Sequence, residues 1–151
     1  MIKAVLGIDP GGTGGMVLGD EFFGWYVHPF KNNWEKTAEV LREWQKDFWI
    51  TTAYIEAVGA MRRDKPRTAF IFGKNTGIIT GMLYLAKIPF VEVHSQKWQK
   101  FHKLGAKYES SAERKNAHKA HVQEILPEIK WTLQTADAGL IASYAFDKEL
   151  G

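Results

Sequence analysis

Cysteine is absent from the 151 residues. That excludes a disulfide framework, a thiolate nucleophile and cysteine-held zinc or iron–sulfur centres, and it fits a reducing, cytoplasmic location. Long apolar runs are missing as well. None approaches the ~20 residues that a membrane span needs; the first is broken at Asp9-Pro10, and no signal-peptide pattern opens the chain. The sequence has no internal repeat, low-complexity stretch or linker, and its length favours one domain over 1–151. Several catalytic signatures are lacking: no G-x-x-x-x-G-K-[ST] loop, no G-x-G-x-x-G opening a helix, and no G-x-S-x-G elbow around Ser95, Ser110, Ser111 or Ser143. Neither a small-molecule cofactor nor a membrane partner is therefore expected.

What is present is unevenly distributed charge. The net charge is only +3, yet Lys97, Lys100, Lys103, Lys107, Arg114, Lys115 and Lys119 lie between His94 and His121 against Glu109 and Glu113 alone. Arg62, Arg63, Lys65, Arg67 and Lys74 form a second cluster, opposed only by Asp64. Clustered cations of this kind neutralise successive phosphates and release condensed counterions, so a polyanion, nucleic acid above all, is the expected partner.

Hydrophobic periodicity predicts the order of elements. Ala4–Ile8 reads as a buried strand, and Gly15–Leu18 and Phe22–Val27 continue it as an antiparallel meander around the turn at Gly19-Asp20. Trp34, Ala38, Leu41, Trp44 and Phe48 recur at helical spacing. Thr51–Glu56 is the fourth strand, 59–67 a basic loop, Ala69–Lys87 a long glycine-punctuated helix, and Phe90–Val93 the fifth strand. Helices follow: one capped by Ser110 or Ser111 and stopped at Pro127, then Ala136–Lys148. This order predicts an α/β protein with a five-stranded mixed sheet, a three-stranded antiparallel meander plus two parallel strands, flanked by helices. By analogy with the ribonuclease H-like fold, the ends of the first and fourth strands would deliver acidic side chains to one site.

Three carboxylates stand at positions suited to chemistry. Asp9 ends the first strand inside Gly7-Ile8-Asp9-Pro10-Gly11-Gly12-Thr13-Gly14-Gly15, where glycines let a phosphate approach the backbone and the acid can hold a divalent cation. A glycine hairpin would need fewer glycines. Glu56 ends the fourth strand among small and apolar residues with no cation beside it in sequence, a costly placement unless it is paired, metal-bound or at an exposed edge. Asp137 sits in the first turn of the last helix, where favourable interaction with the helix N-terminus would suffice for a lone acid. Together the three are what a two-cation site needs to clamp the attacking water and leaving oxygen of a phosphodiester. His118 and His121, three apart on a lysine-rich helix with no evident third ligand, are expected to meet phosphate or solvent instead of a metal. Trp34, Trp44, Phe48 and Trp49 are expected to pack in the core, with Trp25, Trp98 and Phe101 left open.

The ordered set of motifs resembles the RuvC family of Holliday junction resolvases, and its small bacteriophage-type members in particular. Gly7-Ile8-Asp9-Pro10-Gly11 resembles the family's first-strand motif, Ile55-Glu56 its second acid, and Gly73-Lys74-Asn75-Thr76-Gly77 the glycine-flanked part of its long interface helix. Trp98-Gln99-Lys100 and Glu113-Arg114-Lys115 resemble its lysine-bearing stretches, and Ala136-Asp137-Ala138 its C-terminal acid motif. The family's last motif carries two acids three residues apart, and the earlier falls here on Gln134; Gly59, Ala60 and Met61 stand where an aromatic wedge often follows the second acid.

The resemblance implies a structure-selective endonuclease that makes paired nicks in four-way and other branched DNA. It would be a homodimer joined through the helix Ala69–Lys87, with two Mg2+ per active site, Mn2+ substituting. Asp9, Glu56 and Asp137 would ligate metal, with Gln134 a weak or water-mediated ligand, and Lys115 would join them in catalysis. Lys97, Lys100, Lys107 and Lys115, with Arg62 and Arg63, would bind DNA. Two alternatives remain open at this point. The loss of an acid at Gln134 suits a catalytically weakened junction-binding relative. Asp9-Pro10-Gly11-Gly12-Thr13 also resembles the phosphate loop of sugar kinases and actin-like ATPases, which need two such lobes.

Overall fold

The computed structural model describes residues 1–57, 65–105 and 107–151. Its sheet runs in the order β3-β2-β1-β4-β5, with β1 Ile2–Asp9, β2 Gly15–Asp20, β3 Trp25–Pro29, β4 Phe48–Glu56 and β5 Phe90–Val93. β1, β2 and β3 pair antiparallel, while β4 pairs parallel to both β1 and β5. This is the expected mixed sheet. Among the described residues no helix is long and apolar enough to cross a membrane.

Strand alternation sends side chains to two separate cores. Ala4, Leu6 and Ile8 of β1, with Ala53 and Ile55 of β4, face a core that includes Leu41 of α1 (Trp34–Asp47) and Ile79 and Leu83 of α2 (Pro66–Leu85). Val5 of β1 and Tyr54 of β4 face the other core. There they meet Trp98 of α3 (Ser95–Phe101), Val122 of α4 (Ser111–Ile125) and the apolar face of α5 (Ala136–Glu149). Helix α5 is built from small residues, and Ala136, Ala138, Gly139, Ala142 and Ala145 are all buried. It lies so close to β1 that a Cβ on Gly7 would sit 2.7 Å from the Ala138 carbonyl and nearer still to the backbone of Ala142. Only glycine fits there.

Several boundaries differ from expectation, each for a local reason. The third strand starts at Trp25 instead of Phe22, because the Asp20 carboxylate accepts hydrogen bonds from the Phe22 and Gly24 amides (2.7 and 3.2 Å) and Phe23 turns the chain at φ 65°. Asx-type bonding of this sort competes with a ladder. Phe48 has helical spacing but extended backbone (φ −118°, ψ 134°), and it begins β4 opposite Ile2. Helix α2 begins at Pro66, where a missing N–H costs nothing, three residues before the expected start. Ser110, not Ser111, caps α4, accepting from the Glu113 amide at 3.1 Å. Trp49 is not a core residue: it is half exposed, and the Lys3 ammonium lies 5.8 Å from its ring centre. Trp98, by contrast, is fully buried.

Candidate active site

The same alternation that divides the cores places the acids. Two residues beyond Gly7 and Tyr54, which are opposite one another in the parallel β1–β4 ladder, come Asp9 and Glu56, on the face that carries α5. Asp137 lies in the first turn of α5, and the close approach permitted at Gly7 brings that turn to the same end of the sheet. Residues 9, 56 and 137, far apart in sequence, thus converge through one sheet end and one helix start.

Their electrostatics record the convergence. Asp9 is pushed up to about 6, first by burial and then by the Asp137 charge, with the Gly11 amide (3.0 Å) and the Lys115 charge pulling the other way. Glu56 is pushed up to about 8 by burial, then by Asp9 and Asp137, opposed by Arg114. At pH 7 and without a counter-ion Glu56 therefore keeps its proton. Crowded acids that suppress one another's ionisation lack positive charge, and a hard divalent cation with a preference for carboxylate oxygen would supply it. Among the described residues no three His, Cys, Asp or Glu side chains are gathered tightly enough to enclose one ion. The donor set, three carboxylates and no softer ligand, would suit hard ions such as Mg2+ that complete their shells with water.

Gln134 precedes α5 and has a different occupation. Its amide nitrogen donates to the carbonyls of Phe30 (2.6 Å) and Gly14 (3.2 Å), tying the β1–β2 and β3–α1 connections together, so only its Oε1 is left to face a cation. Lys115 stands exposed on α4, near enough to lower Asp9, and Arg114 beside it acts likewise on Glu56. Lys97 and Lys100 on α3, and Lys107 before α4, are exposed and make no ion pair among the described residues. Met61, Arg62 and Arg63 lie outside the described residues.

The histidines overturn an expectation. His118 meets neither phosphate nor solvent: it is 1% exposed, and its Nδ1 is 2.8 Å from Oδ1 of Asp137. His121 turns instead to His102, Nε2 to Nδ1 at 3.3 Å, while Nε2 of His102 donates to the Leu140 carbonyl at 2.8 Å. Burial, above all, holds His102 below the ordinary imidazole range, in keeping with this neutral arrangement. The signal that could have revealed His118 is its position, one turn beyond Lys115 and Arg114 on the same helix.

No protein-family model matches this sequence, and no curated protein does. The structural comparison is positive. RuvC of Thermus thermophilus superposes with a TM-score of 0.64 at 19% identity, covering 100% of this chain and 97% of that one. The same protein in complex with a Holliday junction substrate gives 0.63 at 18%, covering 99% and 96%. The fold is therefore RuvC-like, of the ribonuclease H-like class, along essentially its whole length.

Proposed function

We propose that this chain is a Holliday junction resolvase: one nuclease domain over 1–151, dimeric, that hydrolyses phosphodiesters in four-way and related branched DNA. The observation that carries the reading is the meeting of Asp9, Glu56 and Asp137 at one end of a RuvC-like sheet, flanked by the cations of α4. The solved complex of the Thermus thermophilus protein with a Holliday junction supports the choice of substrate.

In this reading Asp9, Glu56 and Asp137 would hold two divalent cations, Mg2+ or Mn2+, and Gln134 would contribute at most a weak or water-mediated oxygen. Such a pair, when bound, activates a water and stabilises the leaving oxygen of an in-line displacement. The chain's own residues do the rest. Glu56 gives up its proton on loading, and the three acids hold the ions at the strand ends. Lys115, with Lys107 and Lys100 or its neighbour Lys97, guides the scissile strand and meets charge building on the phosphate. Arg62 and Arg63 hold a flanking arm. Because a four-way junction has two-fold symmetry and needs two cuts, a C2 dimer matches it, and α2 is the proposed interface.

The test is a synthetic four-way junction against a matched linear duplex, with Mg2+, Mn2+ or Ca2+ in turn. Paired nicks in the junction alone are expected with Mg2+ or Mn2+, and Asp9→Asn abolishes them while leaving junction binding in Ca2+ largely intact. Binding without cutting under every metal would point to the weakened junction binder, and full cutting by Asp9→Asn would remove the metal assignment.

A further inference from the structure

We propose that His118 is a positioning residue for Asp137: it holds Oδ1 and turns Oδ2 toward the cation. The inference deepens the reading above and rests on it for the identity of the site. An ionised carboxylate only accepts hydrogen bonds, so Nδ1 of His118 carries the proton and donates to Oδ1 across 2.8 Å. Oδ2 accepts no hydrogen bond among the described residues, so one oxygen of Asp137 is engaged and the other is open.

Two further observations support a role for that bond beyond packing. Its Nε2 is buried with no hydrogen-bond partner among the described residues, an arrangement that costs stability. A leucine would fill the space without that cost. The ring is also fixed in place, edge-on to Trp98 (centroids 5.4 Å apart) and to Tyr108 (6.1 Å). With Asp137 on a helix sealed against the sheet and His118 locked between two aromatic rings, the carboxylate has one orientation. Partners of ligating groups characteristically contribute about 10–100-fold in metal affinity.

The experiment is Mn2+ binding to the protein without DNA, read as loss of the free-ion electron paramagnetic resonance signal, alongside thermal unfolding of each variant. Wild type is compared with His118→Leu, His118→Asn and His118→Gln. The asparagine amide falls near the place of Nδ1 and can donate to Oδ1; the glutamine amide falls near Nε2 and cannot. Affinity is expected to drop about tenfold or more in the leucine and glutamine variants and to return to within about threefold of wild type with asparagine. If leucine fails to fold, the asparagine–glutamine pair decides. Equal affinity in all four proteins, an equal loss in all three variants, or a wild type that binds no Mn2+ would overturn the inference. Junction cutting by wild type is scored separately, so a protein that loads Mn2+ through His118 but leaves junctions intact overturns the proposed function and spares this assignment.

Discussion

The two faces of the sheet are finished to different degrees. On the α5 face the packing is tight: Gly7 admits the helix backbone, Gly139 leaves only 2.5 Å between a notional Cβ and the Trp131 ring, and Ala138, Leu140, Ile141 and Ala142 are wholly buried. On the α2 face the helix packs inward through Asn75, Thr76, Ile79 and Leu83, but its outer side is uncovered among the described residues. Among the described residues nothing lies within 4 Å of a notional Cβ on Gly73, Gly77 or Gly81, and Phe70, Tyr84 and Leu85 are largely exposed. The sealed face carries all three acids, which need fixed positions. The bare face offers apolar area and a smooth glycine strip, which suit a second helix approaching from outside.

The contrast can be broken at its strongest point first. Gly7→Ala is expected to cost about 3 kcal/mol or more, because backbone on both sides must move, and to lower Tm by about 6–12 °C. An unchanged melting curve would mean that α5 is not sealed. A smaller effect loads the sealed face alone. Because Asp9 and Glu56 are raised above the ordinary carboxylate range, the folded protein binds protons more tightly than the unfolded chain. Their contribution is thus fully present below about pH 4 and is lost as pH rises through about 6 and then about 8. In chelator, Tm is expected to fall across that window, and added Mg2+ to restore it at pH 8; a flat profile in chelator would contradict the crowding of the acids. The smallest effect on stability belongs to the bare face. Gly77→Leu meets no neighbour among the described residues and gains helix propensity, so the monomer is expected to change by less than about 1 kcal/mol. Sedimentation should nevertheless show weaker dimerisation, and nicked junctions should accumulate. A wild type that is monomeric at micromolar concentration, free and on a junction, would remove the interface.

How much of this was legible in the sequence varies with range. The strand of Ala4–Ile8, the apolar helix after Thr135 and the three acids at element ends could be read because period and punctuation are local signals. Phe48 could not, since its spacing serves a helix stripe and a strand start equally well until Ile2 pairs with it. Phe22 and Phe23 have strand character that the Asp20 carboxylate overrides. His118 was misread because its helix is basic and exposed on the faces around it, and burial came from α5 and Trp98, elements distant in sequence. The occupation of Gln134 depends on two carbonyls more than 100 residues away.

That last arrangement constrains which side chains position 134 can take. Gln134 reaches the Gly14 and Phe30 carbonyls as a donor, and a carboxylate in its place would present oxygen to oxygen. The Phe30 carbonyl would lose its side-chain donor, at about 1–3 kcal/mol where burial denies it water, while the Gly14 carbonyl would keep the Phe30 amide (2.9 Å). Position 134 is therefore coupled to the backbone at 14 and 30. An acid is tolerated at 134 only where another donor serves the Phe30 carbonyl, so the amide has a structural task of its own.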